Sequence, residues 1–372
     1  MIITYDNKKQ ENIILERTPA AKLKSISGKG SKNKLIYSDN LFAMKTLLDK
    51  YAGKVDLVYI DPPFSTNECF RIGKERANTI SKSNDDEIAY DDTLVGDEFL
   101  EFLRERLIFL RELLADRGSI YLHIDYKIGH YVKLIMDEIF GREMFRNDIA
   151  RIKCNPKNFH RKAFGNIKDL ILFYSKSNSM IWNEPTIPFS KEDKLRLFKK
   201  VDAAGRRYTT IPLHAPGETI SGNTGKEWKG IKPPKGRHWR TSPDILEELD
   251  KQGLVEWSEN GVPRKKVFLD LKEGKKMQDI WEFKDPQYPQ YPTEKSLDLL
   301  KFIIEASSNK GDLVLDCFSG SGATLVAAQE LNRNWIGIDK SEHAINIARK
   351  KIDNLESTLF NKAEYEFLRQ IF

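Results

Sequence analysis

An α/β fold around a doubly wound, largely parallel sheet is what this 372-residue chain predicts, on three observations. Apolar runs such as Val55-Asp56-Leu57-Val58-Tyr59-Ile60 and Leu313-Val314-Leu315 are nearly continuous, as strands covered by helices on both faces require. Between such runs, apolar residues recur at helical spacing. Two of the runs also end in residues suited to ligands: Asp61-Pro62-Pro63-Phe64 after the first, and Asp316-Cys317-Phe318-Ser319-Gly320-Ser321-Gly322 after the second. The carboxyl ends of strands are where open α/β sheets bind ligands.

Leu35-Ile36-Tyr37 reads as a strand whose polar end, Ser38-Asp39-Asn40, starts a helix through Leu41, Met44, Leu47 and Leu48, with Asp39 or Asn40 as its cap. The strand into Asp61 comes next. Residues 66–93 are polar and lack apolar periodicity, which predicts a long loop acting as a lid beside Asp61. Phe99, Phe102, Leu103, Leu107, Leu110 and Leu114 then mark a helix closed by Arg117-Gly118. Ser119 to Ile124 is another buried strand, and Tyr131, Leu134, Ile135 and Ile139 form a helix stopped at Gly141. After Arg142 the texture changes. Leu170 to Tyr174 is a clear strand, but from Asn183 to Gln290 short runs, prolines and charged turns alternate. Order returns with a helix through Leu297, Leu300, Ile303 and Ile304, and a strand over Asp312 to Asp316. A helix over Ala323 to Glu330, a strand over Trp335 to Asp339 and a helix through Ala344, Ile347, Ala348 and Ile352 complete the pattern. The expected divisions are 1–145 and 291–356 for the two halves of the sheet domain, 146–290 for a middle region that holds the Leu170–Tyr174 strand and, from Asn183, a separate irregular module, and 357–372 for a tail.

The net charge of +6 is unevenly spread: Arg151 to Gln290 holds 28 Lys and Arg against 18 Asp and Glu. That excess suits a polyanion-binding surface, and equally a solvated surface with surplus lysines. Cys69, Cys154 and Cys317 are too scattered for a disulfide framework or a zinc site, so a reducing cytoplasm is the expected compartment. No apolar run approaches the ~18 residues of a membrane span. His123 and Asp125 end a strand, but no third ligand stands at metal-binding spacing, so a structural role is expected and no metal.

Gly320 and Gly322 allow close backbone approach at a helix start, and Asp339 ends the next strand 23 positions after Asp316, where nucleotide-binding folds grip ribose. A ribose-bearing cofactor fits this pattern, although the third glycine of the dinucleotide fingerprint and the lysine of a P-loop are missing. At Asp61-Pro62-Pro63 the prolines remove two amide donors, so the Asp61 carboxylate and the Pro62 carbonyl are free to accept hydrogen bonds from an exocyclic amine. Phe64 adds a face for stacking.

These motifs resemble those of the amino methyltransferases of DNA. Asp61-Pro62-Pro63-Phe64 and Phe318-Ser319-Gly320-Ser321-Gly322 are similar to motifs IV and I, in the permuted order of the β class. Tyr291-Pro292-Thr293-Glu294-Lys295 is similar to motif X and Ser38-Asp39 to the Gly-Asp element. Asn158-Phe159 through Phe164, Asn166 and Asp169 to Tyr174 resembles motif VIII of cell-cycle adenine methyltransferases and type III modification subunits. The resemblance covers most of the chain outside roughly 183–290, where the family keeps its target-recognition region.

The resemblance implies a Rossmann-like methyltransferase sheet with circularly permuted motif order, an inserted target-recognition module and S-adenosylmethionine as cofactor. Asp61 and Pro62 would hold the target amine, with Pro63 shaping the turn and Phe64 stacking on a base flipped from duplex DNA. Asp316, Phe318, Gly320 and Gly322 would surround the methionine part of the cofactor, Asp339 its ribose and Asp39 its adenine amine. Thr293 and Lys295 would close that pocket. Phe159 or Phe164 would form a second aromatic wall or pack in the core, and Arg161, Lys162, Lys235, Arg237 and Arg240 would contact DNA. Trp228 and Trp239 are open between contact with DNA and a small core of their own. The implied reaction is in-line attack by adenine N6 on the sulfonium methyl, without covalent intermediate or metal. Cytosine N4 is the runner-up, because it differs mainly in pocket shape, although cytosine members more often carry Ser at the position of Asp61. Ser38, Phe64 and Ser296 depart from the commoner Gly, Tyr and Pro, which loosens the subgroup assignment. An endonuclease subunit and a second copy of the chain remain open as partners. Rival readings are a dinucleotide-dependent oxidoreductase, which leaves Asp61-Pro62-Pro63-Phe64 unexplained, and a non-catalytic DNA-binding protein, which leaves the glycine turn unexplained.

Overall fold

The computed structural model describes residues 3–63, 68–72, 87–92, 96–155, 162, 164–286, 294–355 and 364–371. The chain divides into two compact units, Met1–Pro185 with Gln278–Phe372, and Thr186–Met277.

The larger unit is built on a ten-stranded sheet. Across it the order is Leu23–Ser27, Tyr365–Gln370, Asn33–Tyr37, Asn334–Asp339, Leu313–Asp316, Val55–Ile60, Leu114–Ile124, Lys168–Ser175, Phe145–Ile152 and Ile280–Glu282. Only Leu23–Ser27 and Lys168–Ser175 run against the rest. From Leu313–Asp316 the chain proceeds to Asn334–Asp339 on one side, whereas from Val55–Ile60 it proceeds to Leu114–Ile124 on the other. These two diverging strands are neighbours, with Val314 opposite Leu57 and Leu315 opposite Val58. They define a topological switch point, the place at the carboxyl ends of the strands where open α/β sheets bind ligands.

The helices Asn40–Tyr51, Gly96–Leu113 and Gly129–Phe140 contribute Met44, Leu47, Leu103, Leu107, Ile135 and Met136 to one core with the sheet residues Ile36, Val58, Ile120 and Leu172. The Val55–Ile60 strand is buried at every position, which explains its unbroken apolar character. Asp39, not Asn40, caps the helix that follows it: its side chain accepts from the Leu41 amide at 2.8 Å. Gly141, at φ 93°, ends the Gly129–Phe140 helix as expected. No helix among the described residues is long and apolar enough to cross a membrane.

Two divisions and one loop expected from sequence need correction. Phe145–Ile152, Lys168–Ser175 and Ile280–Glu282 join the main sheet, so of the 146–290 region only Thr186–Met277 is separate, a little less than the irregular stretch 183–290. The supposed tail, 357–372, contributes the strand Tyr365–Gln370, whose Phe367 is buried and whose Glu366 pairs with Lys34 at 2.5 Å. Within 66–93, the strands Glu68–Ile72 and Glu87–Asp92 form an antiparallel ribbon; the remainder of that segment lies outside the described residues.

The smaller unit has a four-stranded antiparallel sheet in the order Lys200–Val201, Arg207–Pro212, Pro263–Phe268 and Val255–Trp257. A ribbon of His214–Pro216 with Arg237–Trp239 adjoins it in sequence. Trp228 and Trp239 are buried with Leu213, Leu246 and Val255, with their rings edge to face at 6.2 Å. Their indole N–H groups are satisfied internally, by Glu247 and by the Lys226 carbonyl. Both tryptophans therefore form the core of the unit and are not exposed stacking faces.

Candidate active site at the switch point

Asp61 leaves the central strand at its carboxyl end and forms an ion pair with Lys295, Oδ2 to Nζ at 2.5 Å. Its other oxygen, Oδ1, is buried and has no hydrogen-bond partner among the described residues. Pro62 and Pro63 bring no amide N–H to it. One acceptor is thus shielded from water and unmet, and leaving such an atom unpaired costs about 1–3 kcal/mol until a donor arrives. Phe64 and Thr293 lie outside the described residues.

The adjoining strand delivers Asp316, which is buried and holds the turn by accepting from the Phe318 amide at 2.9 Å. Burial, reinforced by the negative charges of Asp61 and Asp339, pushes Asp316 from the ordinary 3.8 up to about 7. The Gly320 amide donates to Asp339 Oδ2 and the Ser341 amide to its Oδ1, both at 2.8 Å. Withdrawal from solvent raises Asp339 as well. Gly322, at φ 80°, is the cap of the Ala323–Glu330 helix, and a Cβ there would stand 2.8 Å from the Ala348 Cβ. Glycine is required on both counts. Ser319 Oγ is buried and unpartnered among the described residues. A buried carboxyl, a half-buried one held by two backbone amides and an orphaned hydroxyl, gathered round a left-handed turn, fit a ligand with cationic and hydroxyl groups.

Asp39 lies beside this turn through a network absent from the sequence reading. Arg106 is buried and donates to Asn40 Oδ1 at 2.6 Å and to the Phe102 carbonyl at 2.8 Å; its guanidinium lies 3.5 Å from the centre of the Phe102 ring and 3.4 Å from Asp39. Asn40 in turn donates to the Cys317 carbonyl at 2.7 Å. Phe102 also contacts Phe318, with ring centroids 6.1 Å apart. The start of the Asn40–Tyr51 helix is thereby tied to the glycine turn.

On the other flank, the buried His123 meets Tyr59 through Nδ1 at 2.9 Å and Asp169 through Nε2 at 3.3 Å. Burial lowers the imidazole's pKa, so the neutral ring donates from Nε2 to Asp169 and accepts from the Tyr59 hydroxyl. Burial alone would raise Asp169, but the His123 hydrogen bond and the Lys153 charge hold it well below the ordinary carboxylate range. Lys153 donates to Asp169 at 2.6 Å, and the buried Arg151 joins Asp169 to Asp285. Asp125 accepts from the Lys127 amide at 2.9 Å. A structural role for His123 and Asp125 is the expectation from sequence, which does not foresee this chain of contacts between residues far apart in the chain.

Among the expected DNA contacts, Lys162 is exposed, as are Lys235, Arg237 and Arg240 on the smaller unit. Phe164 is 97% exposed and so is no core residue, whereas Phe159 and Arg161 lie outside the described residues.

The chain belongs to the N6/N4 DNA methylase family, whose profile, described as DNA methylase, matches residues 55–350. It is 42% identical over 361 residues to the type II methyltransferase M.EcaI of Enterobacter cloacae, covering 94% of this chain and 77% of that protein. The type III restriction-modification enzyme StyLTI Mod subunit of Salmonella typhimurium is 28% identical over 82% of this chain, which spans 51% of it. The chain thus matches about half the length of such Mod subunits. A crystal structure of an M1.HpyAVI-SAM complex aligns with a TM-score of 0.47 at 19% identity, covering 86% of this chain and 99% of that one.

Proposed function

We propose that this protein methylates the exocyclic N6 amine of adenine in duplex DNA, with S-adenosylmethionine as cofactor. The observation that carries the reading is Asp61 Oδ1, a buried acceptor without a partner among the described residues, at the switch point beside the glycine turn. An amine is the donor such an atom lacks.

Bound at the turn, the cofactor supplies an electrophilic methyl group. Asp316 would hold its cationic part, and Asp339 and Ser319 would hold hydroxyl and amine groups. Gly320 and Gly322 keep the backbone open to it. Asp61 Oδ1 and the Pro62 carbonyl accept from the target amine, which orients its lone pair and stabilises the positive charge that develops on nitrogen. Lys295 acts through Asp61: by occupying Oδ2 it fixes the carboxylate with Oδ1 toward the base. This differs from the pocket-closing role that the family resemblance implies. Phe64 stacks on the extruded base, and the Thr186–Met277 unit contacts the duplex.

Aspartate at position 61 favours adenine, because cytosine-directed relatives of this class more often carry serine there. The similarity to type III Mod subunits supports a place in restriction-modification and an endonuclease subunit as partner. Nucleoside analysis by mass spectrometry of DNA from cells expressing this chain tests the base: N6-methyladenine is expected, and N4-methylcytosine alone would overturn the assignment. Calorimetric titration with S-adenosylmethionine tests the cofactor, and no binding would refute it.

A further inference from the structure

In the Thr186–Met277 unit three arginines are anchored along one short segment that ends at a histidine. Along the segment from Thr210 to His214, every second residue receives one of them. Arg264 donates from Nε to Thr210 Oγ1 and from Nη2 to the Thr210 carbonyl, both at 2.9 Å. Arg240 donates from Nε to the Pro212 carbonyl at 3.1 Å, and Arg237 Nη1 meets His214 Nδ1 at 3.2 Å. Strand register brings them to this segment, since Arg264 lies opposite Pro212 and Arg237 opposite Pro216.

Burial and the charges of Arg237, Arg240 and Arg264 together lower the His214 pKa. Among the described residues none of these arginines forms an ion pair, whereas Arg196 and Arg206 of the same unit pair with Asp193 and Asp202. Three like charges held together without a counter-ion are unfavourable unless an anion joins them. Each guanidinium is anchored by one or two of its five N–H groups, which leaves several donors on each already fixed in position. A guanine edge needs one such fork, whereas a group of three around a neutral ring suits the repeated charges of a phosphate chain.

We propose that Arg237, Arg240 and Arg264, set around His214, form a binding site for the sugar–phosphate backbone of DNA. The inference rests on DNA being the substrate and adds the atoms that hold the strand, among them two residues, Arg264 and His214, that no sequence motif singles out.

The test is fluorescence anisotropy of a labelled mixed-sequence duplex titrated with the full chain at several salt concentrations. Each of Arg237→Ala, Arg240→Ala and Arg264→Ala is expected to lower the slope of log K against log salt by about 0.9, hence to weaken binding about eightfold at 0.1 M salt. Arg264→Lys is expected to restore the slope, which separates lost charge from lost folding. A bound phosphate also favours protonation of His214, whose pKa burial and the arginines hold below the ordinary 6.5, so wild-type affinity is expected to fall as pH rises toward 6.5, and His214→Gln to lose that dependence. Wild-type slope and affinity in Arg264→Ala and Arg240→Ala would overturn the site while leaving DNA as substrate, and an unchanged pH profile in His214→Gln would remove the histidine from it. A wild-type chain with no salt-dependent duplex binding would refute the DNA reading itself.

Discussion

Replacing Asp316 by Asn is expected to make the cofactor-free protein more stable and less able to bind its cofactor. Burial raises this carboxyl from 3.8 to about 7, so between those values the folded state keeps a proton that the unfolded chain has released. Stability therefore falls as pH rises across that window, and the full penalty stands above pH 7. A difference of about three in pKa, at about 1.4 kcal/mol each, amounts to about 4 kcal/mol at pH 8, against about 2 at pH 5 where the window is only partly crossed. Asparagine carries no such charge and retains an Oδ1 to accept from the Phe318 amide. Urea unfolding of the cofactor-free wild type and Asp316→Asn at pH 5 and pH 8 measures the gap. Since the carboxylate would face a cationic part of the ligand, the stabilised variant is also expected to bind S-adenosylmethionine more weakly, by calorimetry. A variant no more stable than wild type at pH 8, or a gap that does not widen with pH, would show that Asp316 does not carry a buried charge.

Asp61→Ala is expected to abolish transfer of label from the methyl group to DNA while cofactor affinity stays within a few fold; near wild-type turnover refutes its role. Lys295→Met should lower kcat by about a hundredfold, the scale of losing one aligned electrostatic group, with Lys295→Arg partly restoring it. If Lys295 closes the cofactor pocket instead, calorimetry will show lost affinity. Gly322→Val puts a branched side chain at φ 80° against Ala348, so it should destabilise the protein by roughly 1–3 kcal/mol and impair cofactor binding; chemical denaturation checks the first and calorimetry the second. Trp239→Ala removes one of the two buried indoles of the smaller unit's core and should cost about 3–5 kcal/mol there, read as earlier loss of near-ultraviolet circular dichroism and of duplex binding.

The sheet's centre was legible because Val55–Ile60 and Leu313–Asp316 are buried on both faces and leave no ambiguity of period. Its edges were not. Phe145–Ile152 interleaves exposed Asn147 and Asp148 with buried Ile149 and Arg151, and Ile280–Glu282 is only three residues long, so neither gives an alternation that outweighs its polar neighbours. The same limit applied to the site. Residues on one motif, such as Asp61 with Pro62 or Asp316 with Gly320, could be read as local units. Lys295 beside Asp61, Arg106 beneath Asp39 and the His123–Asp169 chain could not, since each joins elements far apart in sequence. In the smaller unit, aromatic residues among cations suggested surface chemistry, but indole area was needed to fill a small core, and it was cations such as Lys235, Arg237 and Arg240 that stayed outside.

Tyr365–Gln370 lies between Leu23–Ser27 and Asn33–Tyr37, two strands that are close in sequence yet not neighbours in the sheet. A local hairpin between them would have to leave room for a segment more than 300 residues away, whose register sets Leu23 opposite Gln370. Refolding from denaturant should then pass through a species in which the centre of the sheet is paired while this flank still exposes strand edges. Such edges join those of other chains as readily as their own. Dilute, cold renaturation with slow removal of denaturant should therefore recover more active protein than rapid dilution at high concentration.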